Sequence, residues 1–218
     1  MIKVENVKVF NFEGAIRGLR NPMNSWDKSD SVKCYLNSHC PSICKNNLCG
    51  LCVGNNDLTL MKKLYKAGTE HRKYLRQIFV SMDIVAPLYW WKEMDTYKVG
   101  TVSNSCSTMH KIAAKEFELD DFSHEHLKPY AEHCLIETIK VLNDYRMAYH
   151  VALDDKKEAW WNMIQLLPSS YNQKRTVTFT YENVVTMIRQ RTGHKLDEWN
   201  DFVALLHGLP YVAEIIDE

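Results

Sequence analysis

Six small hydroxyl or thiol side chains fall within eight positions of this chain: Thr101, Ser103, Ser105, Cys106, Ser107 and Thr108. They follow Gly100 and an aromatic stretch, "APLYWWKEMDTYK", that runs from Ala86 to Lys98. Short donors behind a glycine let backbone N–H groups approach an anion closely, so phosphate binding is one chemistry the run supports. A polar loop with capping serines uses the same residues. Cys106 is a candidate nucleophile if Lys98, His110 or Lys111 favours its thiolate, and otherwise a small, partly buried side chain.

A second constellation lies in "LPSSYNQKRTVTFTYEN" and "RQRTGHKLDEW". It offers Gln173, Lys174, Arg175, Arg189 and Arg191, then His194, Lys195, Asp197 and Glu198. Guanidinium forks suit a phosphate monoester. The same spacing also suits a solvated helix face laced with ion pairs. Trp90, Trp91, Trp160, Trp161 and Trp199 can stack a heteroaromatic ring, although tryptophan more often packs in a core or an interface.

A third is a cysteine cluster, Cys40-x3-Cys44-x4-Cys49-x2-Cys52, with Cys34 and His39 just before it. Cys40, Cys44, Cys49 and Cys52 can close a tetrahedral zinc site that staples a loop. An iron–sulfur cluster and a reduced surface loop are the alternatives.

These groups need a scaffold, and the bulk composition provides for one. The chain has 218 residues, 45% hydrophobic and 25% charged, which suits a globular core. We expect one domain over residues 1–218, with the Cys-rich stretch as an insertion at about 34–54. Lys+Arg and Asp+Glu both number 27, so there is no electrostatic case for long nucleic acid or an anionic membrane. The first residues lack the apolar segment of a signal peptide, and no run approaches the ~18 apolar residues of a membrane span. A soluble, cytoplasmic protein is expected, in which cysteines serve as thiols or metal ligands rather than disulfides.

The elements that position these groups can be sketched from periodicity. "VENVKVFNF" predicts a strand from Val4 to Phe12, and "EGAIRGLR" a short helix. Asp57 is expected to cap a helix that carries Leu58, Leu60, Met61, Leu64 and Tyr65 as its apolar stripe and ends at Gly68. "RQIFVSMDIVA" predicts a strand, and Pro87 opens a helix that Gly100 interrupts. Long helices fill Asp120 to Leu167, "KRTVTFTYEN" predicts a strand from Lys174 to Asn183, and two helical runs close the chain. The class is α+β.

The order of these pieces resembles the flavin-dependent thymidylate synthases, the ThyX family, from about Asp57 to the end. "KLYKAGTEHRKYLRQIFVSMDIVAP" resembles the family's helix, His-containing loop and strand ending in Ala-Pro. "APLYWWKEMDTYKVGTVSNSCSTMHK" falls where the family carries RHRxxSxNExSxR. "LLPSSYNQKRTVTFTYENVVTMIRQRTGHKLDEW" resembles its Leu-Pro, strand, helix and Arg-containing dUMP segment. Within the family, "RNPMNSWDKSDS" and "HKLDEW" resemble a divergent phage or Firmicute branch, with which the cysteine insert is not associated.

The resemblance implies a ThyX-like α/β core with flanking helices, assembled as a homotetramer. It implies transfer of a one-carbon unit from methylenetetrahydrofolate to dUMP or a related pyrimidine deoxynucleotide, with reduced FAD as hydride donor and NADPH to reduce it. On this reading we assign Arg191, Lys98 and Cys106 to catalysis, Cys106 on its own thiol chemistry rather than on the resemblance. Glu93, Thr101, Ser103, Asn104, Ser105, Cys106, Ser107, Arg175 and Arg191 fall to the nucleotide. His71, Arg72, Arg76, Tyr97, Lys98, Arg189 and His194 fall to the cofactor.

Several positions depart from the family pattern. Its Arg-His-Arg is replaced by Thr96, Tyr97 and Lys98, its Glu by Asn104, its second Ser by Cys106 and its last Arg by Thr108. The Gln before the motif becomes Glu93, and the Arg before Leu-Pro has no match at Ile164. Each lost charge-assisted hydrogen bond weakens anion binding by about 1.5–3 kcal/mol. The departures keep two alternatives open: a flavin-independent enzyme, or a non-catalytic nucleotide-binding protein with a zinc-stapled interaction loop. In the ThyX-like reading the small donors line the nucleotide, and the Trp-rich helix is expected to wall the cofactor cleft.

Overall fold

The computed structural model of the chain describes residues 2–34, 50–151 and 156–217. Strand β1 (Lys3–Phe10) leads into helix α1 (Phe12–Arg20). The strand ends before Phe12 because Asn11 takes a left-handed backbone, φ 67°, and turns the chain. Phe12, Ala15, Ile16 and Leu19 recur at helical spacing and are buried. Phe12 sits edge-on to Tyr181 and Tyr211, with ring centroids 5.5 and 5.6 Å away.

Two short strands, β2 (Val32–Lys33) and β3 (Leu51–Cys52), pair antiparallel. Helix α2 (Asn55–Lys66) follows, and here one expectation is corrected. Asp57 does not cap this helix. The carboxylate of Asp30 does, accepting the Asn56 and Asp57 N–H groups at 2.9 and 3.1 Å. Asp57 is instead fully buried, and its Oδ1 accepts from Arg20 Nε at 2.6 Å. Its Oδ2 accepts from the Ser29 and Ser31 hydroxyls at 2.7 and 2.6 Å, and from the Asp30 and Ser31 N–H groups.

Strand β4 (Phe79–Pro87) shows clean alternation, with Val80, Met82, Ile84 and Ala86 buried. Helix α3 (Leu88–Met94) starts just after Pro87 and stops well before Gly100. The hydroxyl run is not one loop. It forms strand β5 (Val102–Ser105) and a one-turn helix α4 (Thr108–Lys111), capped by Ser107 Oγ, which accepts the His110 N–H at 3.1 Å.

Helices α5 (Pro129–Val151) and α6 (Lys156–Leu166) pack on Phe117 and Phe122 through Leu135, Ile139, Leu142 and Met163. Strand β6 (Asn172–Thr180) ends earlier than expected, because Thr180 and Asn183 form a capping box that starts helix α7 at Tyr181 (Tyr181–Arg191). Helices α8 (Asp197–His207) and α9 (Val212–Ile216) close the fold.

The sheet order is β1-β4-β6-β5, so strands distant in sequence lie side by side. The chain divides into two compact units. One comprises residues 1–3, 84–96 and 104–175, and the other 4–83, 97–103 and 176–218. Among the described residues no helix is long and apolar enough to cross a membrane.

Candidate functional site

Helix α7 grips the segment after α3 from both ends. At its start, Asn183 Nδ2 donates to the Val99 carbonyl at 2.8 Å. Gly100 has φ +75°, and a Cβ there would lie 3.1 Å from Asn183 Oδ1, so the turn needs a glycine. At its end, Arg191 Nε donates to Tyr97 Oη at 2.9 Å, and Tyr97 Oη donates to Gln190 Oε1 at 3.0 Å. The Arg191 guanidinium lies 4.7 Å over the Trp199 ring and 5.6 Å from the Tyr97 ring centroid. His194 Nε2 is 3.2 Å from Arg191 Nη1, and His194 Nδ1 accepts the Leu196 N–H at 3.1 Å. The result is a half-buried, oriented cation next to a phenol and an imidazole.

The other unit holds a second arginine cluster. Gln173 and Arg175 lie two apart on β6 and so share a face. Arg175 Nε donates to Gln173 Oε1 at 2.9 Å and Nη1 to Asp95 Oδ1 at 2.8 Å, while the guanidinium stacks 4.3 Å over Trp91. Gln173 is buried and acts as the hub. Its Nε2 donates to the Cys106 carbonyl at 3.0 Å, and its own carbonyl accepts from Trp91 Nε1 at 2.9 Å. The Cys106 N–H bonds the Lys174 carbonyl at 2.9 Å, so the cysteine is fixed by its backbone while its side chain is exposed.

The structure thus brings Tyr97, Arg191 and His194 together, and joins Cys106 to Arg175. Ser103, Asn104 and Ser105 are exposed along β5, Lys98 is exposed, and Glu93 is half-buried on α3. The Thr101 hydroxyl is buried without a hydrogen-bond partner. Arg189 is exposed at the end of α7.

His71, Arg72 and Arg76 diverge although they are close in sequence. His71 lines a cleft of about 690 Å³ with Asn21, Met23, Leu60, Leu64 and Tyr74. Arg72 is buried in an ion pair, its Nη2 donating to Glu182 Oε1 at 2.7 Å. Its Nε and the Glu182 Oε2 are buried without partners. Arg76 donates to the Thr69 carbonyl at 3.3 Å. Burial pushes the Tyr74 phenol well above its ordinary pKa, and its hydroxyl donates to the Met61 carbonyl at 2.9 Å.

Trp90, Trp91 and Trp199 are fully buried, so the expected cleft wall on α3 is core instead. Trp91 and Trp199 act through their faces, each carrying a guanidinium. Sequence reasoning passed over Gln173 as an organiser and Asp95 as a partner. The two-residue spacing of Gln173 and Arg175 on a strand was the available signal for the first. Cys40, Cys44 and Cys49 lie outside the described residues. Cys52 is described, on β3, and among the described residues no three His, Cys, Asp or Glu side chains gather as metal ligands.

No model of a known protein family matches this sequence. No curated protein matches it. Solved structures do match. Two crystal structures of thymidylate synthase X (ThyX) from Helicobacter pylori with FAD and dUMP are similar to this chain. The first has 16% identity and a TM-score of 0.64, over 99% of this chain and 97% of that one. The second has 15% identity and a TM-score of 0.65, over 99% and 98%. A UMP/dUMP methylase, PolB from Streptomyces cacaoi bound with 5-Br dUMP, has 10% identity and a TM-score of 0.51, over 84% and 74%. At these identities the likeness is one of fold.

Proposed function

We propose that this chain, which has the fold of the ThyX flavin-dependent thymidylate synthases, is a flavin-dependent enzyme that modifies dUMP or a related pyrimidine deoxynucleotide. The reaction is transfer of a one-carbon unit from methylenetetrahydrofolate to the pyrimidine ring, with NADPH reducing the flavin. One observation carries this reading: Arg191 is held on Trp199 at 4.7 Å and on Tyr97 Oη at 2.9 Å. A guanidinium locked by ring faces and a phenol is preorganised for a phosphate or for negative charge developing on a uracil carbonyl.

The residues of the cleft near His71 fit a flavin. Its apolar walls, Met23, Leu60 and Leu64, suit a planar ring, and Asn21, Ser25, His71 and Lys73 supply polar edges and positive charge. When bound, a reduced flavin supplies the hydride that completes the transferred methyl group. Arg191 holds the anionic nucleotide, and Tyr97 fixes the guanidinium plane. The family resemblance of the sequence implies a homotetramer. Tyr130, Met147, Val151 and Trp161 are exposed apolar side chains on α5 and α6, suited to burial against further copies. Light scattering checks the assembly.

The test is an absorption spectrum of the protein purified with added FAD, followed by titration with dUMP. Flavin bands that remain with the protein and shift with dUMP are expected, followed by turnover with methylenetetrahydrofolate. A protein that retains no flavin and ignores dUMP overturns the reading. A second reading, a nucleotide binder without turnover, is favoured by the pairing of Arg175 with Asp95 at 2.8 Å, which takes up a guanidinium that catalysis could otherwise use. It predicts dUMP binding by calorimetry with no flavin bands.

A further inference from the structure

Cys34 and Cys52 stand at opposite ends of the cysteine-rich stretch and on facing strand ends. Val32 is opposite Cys52 and Lys33 opposite Leu51, and the Cys34 N–H continues the ladder to the Gly50 carbonyl at 3.1 Å. Strand alternation places Val32, Cys34 and Cys52 on one face. The two Sγ atoms lie 2.8 Å apart, and both residues are half-buried.

That distance separates two kinds of thiol chemistry. Two thiolates on one tetrahedral zinc ion stand roughly 3.8 Å apart, given Zn–S bonds of about 2.3 Å. Bonded sulfurs stand about 2.05 Å apart. The pair sits inside the chelate distance, on backbone that is already hydrogen-bonded, so closing a bond needs little movement. The residues on either side are anchored. The Val53 N–H bonds Tyr211 Oη at 2.9 Å, and the Gly54 N–H bonds Ser31 Oγ at 3.0 Å. Lys33 and Leu51, next to the two cysteines, line a cleft of about 360 Å³ with Arg17, Trp26, Ser29 and Ser31.

We propose that Cys34 and Cys52 form a site of reversible oxidative cross-linking, which clips the base of the insert and fixes one wall of that cleft. The oxidant is a hydroperoxide. One thiolate attacks a peroxide oxygen, the O–O bond breaks, and a sulfenic acid forms as hydroxide leaves. The other thiolate attacks the sulfenic sulfur, forming the S–S bond and expelling a second hydroxide. The two hydroxides take up the two thiol protons as water, so two thiols and one hydrogen peroxide give one disulfide and two waters. A dithiol reductant reverses the change.

The test uses the full chain treated with hydrogen peroxide, blocked with N-ethylmaleimide and mapped by fragmentation mass spectrometry. A linkage between Cys34 and Cys52 is expected, two mass units below the reduced form, reversed by dithiothreitol and lost in Cys34→Ser and in Cys52→Ser. The triple variant Cys40→Ser/Cys44→Ser/Cys49→Ser retains the linkage, and its melting temperature rises on oxidation. If that variant does not fold, the fragmentation map of the unaltered chain decides alone. Linkage of either residue to one of the three intervening cysteines overturns the proposal. So does stoichiometric zinc that shields both thiols until a chelator removes it. Neither outcome bears on flavin or dUMP binding.

Discussion

Arg20 and Arg191 show two uses of a guanidinium. Arg20 is buried, and its Nε meets a carboxylate that four other donors already hold, those of Ser29, Asp30 and Ser31. Arg191 is half-buried and rests on the faces of Tyr97 and Trp199, which orient it. The first arrangement fixes a loop to a helix start, and its charge is taken up within the fold. The second stacks a half-buried cation on two rings at the end of a helix. Residue type does not distinguish the two. Burial and the nature of the partner do.

The contrast breaks first at Asp57. Asp57→Ala leaves the Arg20 charge buried and unpaired, and should cost about 3–5 kcal/mol of stability, measured by urea unfolding. A variant that unfolds like the parent ends the structural reading of the pair. The same carboxylate sets an acid limit. Burial alone raises its pKa, but the Ser31, Ser29 and Arg20 hydrogen bonds outweigh it and leave the value below the ordinary carboxylate range. Its stabilisation is therefore complete above the unfolded value of about 3.9 and lost as pH falls through the lower folded value. Stability of Asp57→Asn should be flatter than the parent's across that acid window.

The next effect is at Arg191. Arg191→Ala should lower dUMP affinity by about 1.5–3 kcal/mol with little change in melting temperature. Calorimetry against thermal unfolding reads both. Arg191→Lys should not restore binding, because an ammonium does not keep the planar stack. A large loss of stability instead would make Arg191 a second Arg20. The smallest effect is at Tyr97→Phe, which removes the phenol that receives Arg191 Nε and should weaken nucleotide binding by about 0.5–1.5 kcal/mol. Unchanged affinity would mean that the ring face alone orients the cation.

Local signals made much of the fold legible. The alternation of Val80, Met82, Ile84 and Ala86 marked β4, and the helical spacing along α1 and α2 held. The ThyX fold itself was legible only through family resemblance in three stretches. What escaped depended on distant partners. Asp57 reads locally as a helix cap, yet Asp30, far back in sequence, takes that role and frees Asp57 for Arg20. The end of β6 was misplaced because Tyr181 favours strands, whereas the Thr180–Asn183 capping box decides the matter. Within the candidate site, Arg191 was singled out only through the family resemblance. Its setting on Tyr97 and Trp199 was not legible, since three separate segments must converge to build it.

The two compact units are drawn from alternating stretches, with crossings after residues 3, 83, 96, 103 and 175. Neither unit is therefore written in the gene as a continuous passage. No single truncation releases one of them whole, and a shuffled or duplicated exon cannot carry one away. Whatever changes selection makes to the small donors of residues 101–108 must be made in place, substitution by substitution, because the boundary between units falls inside that run.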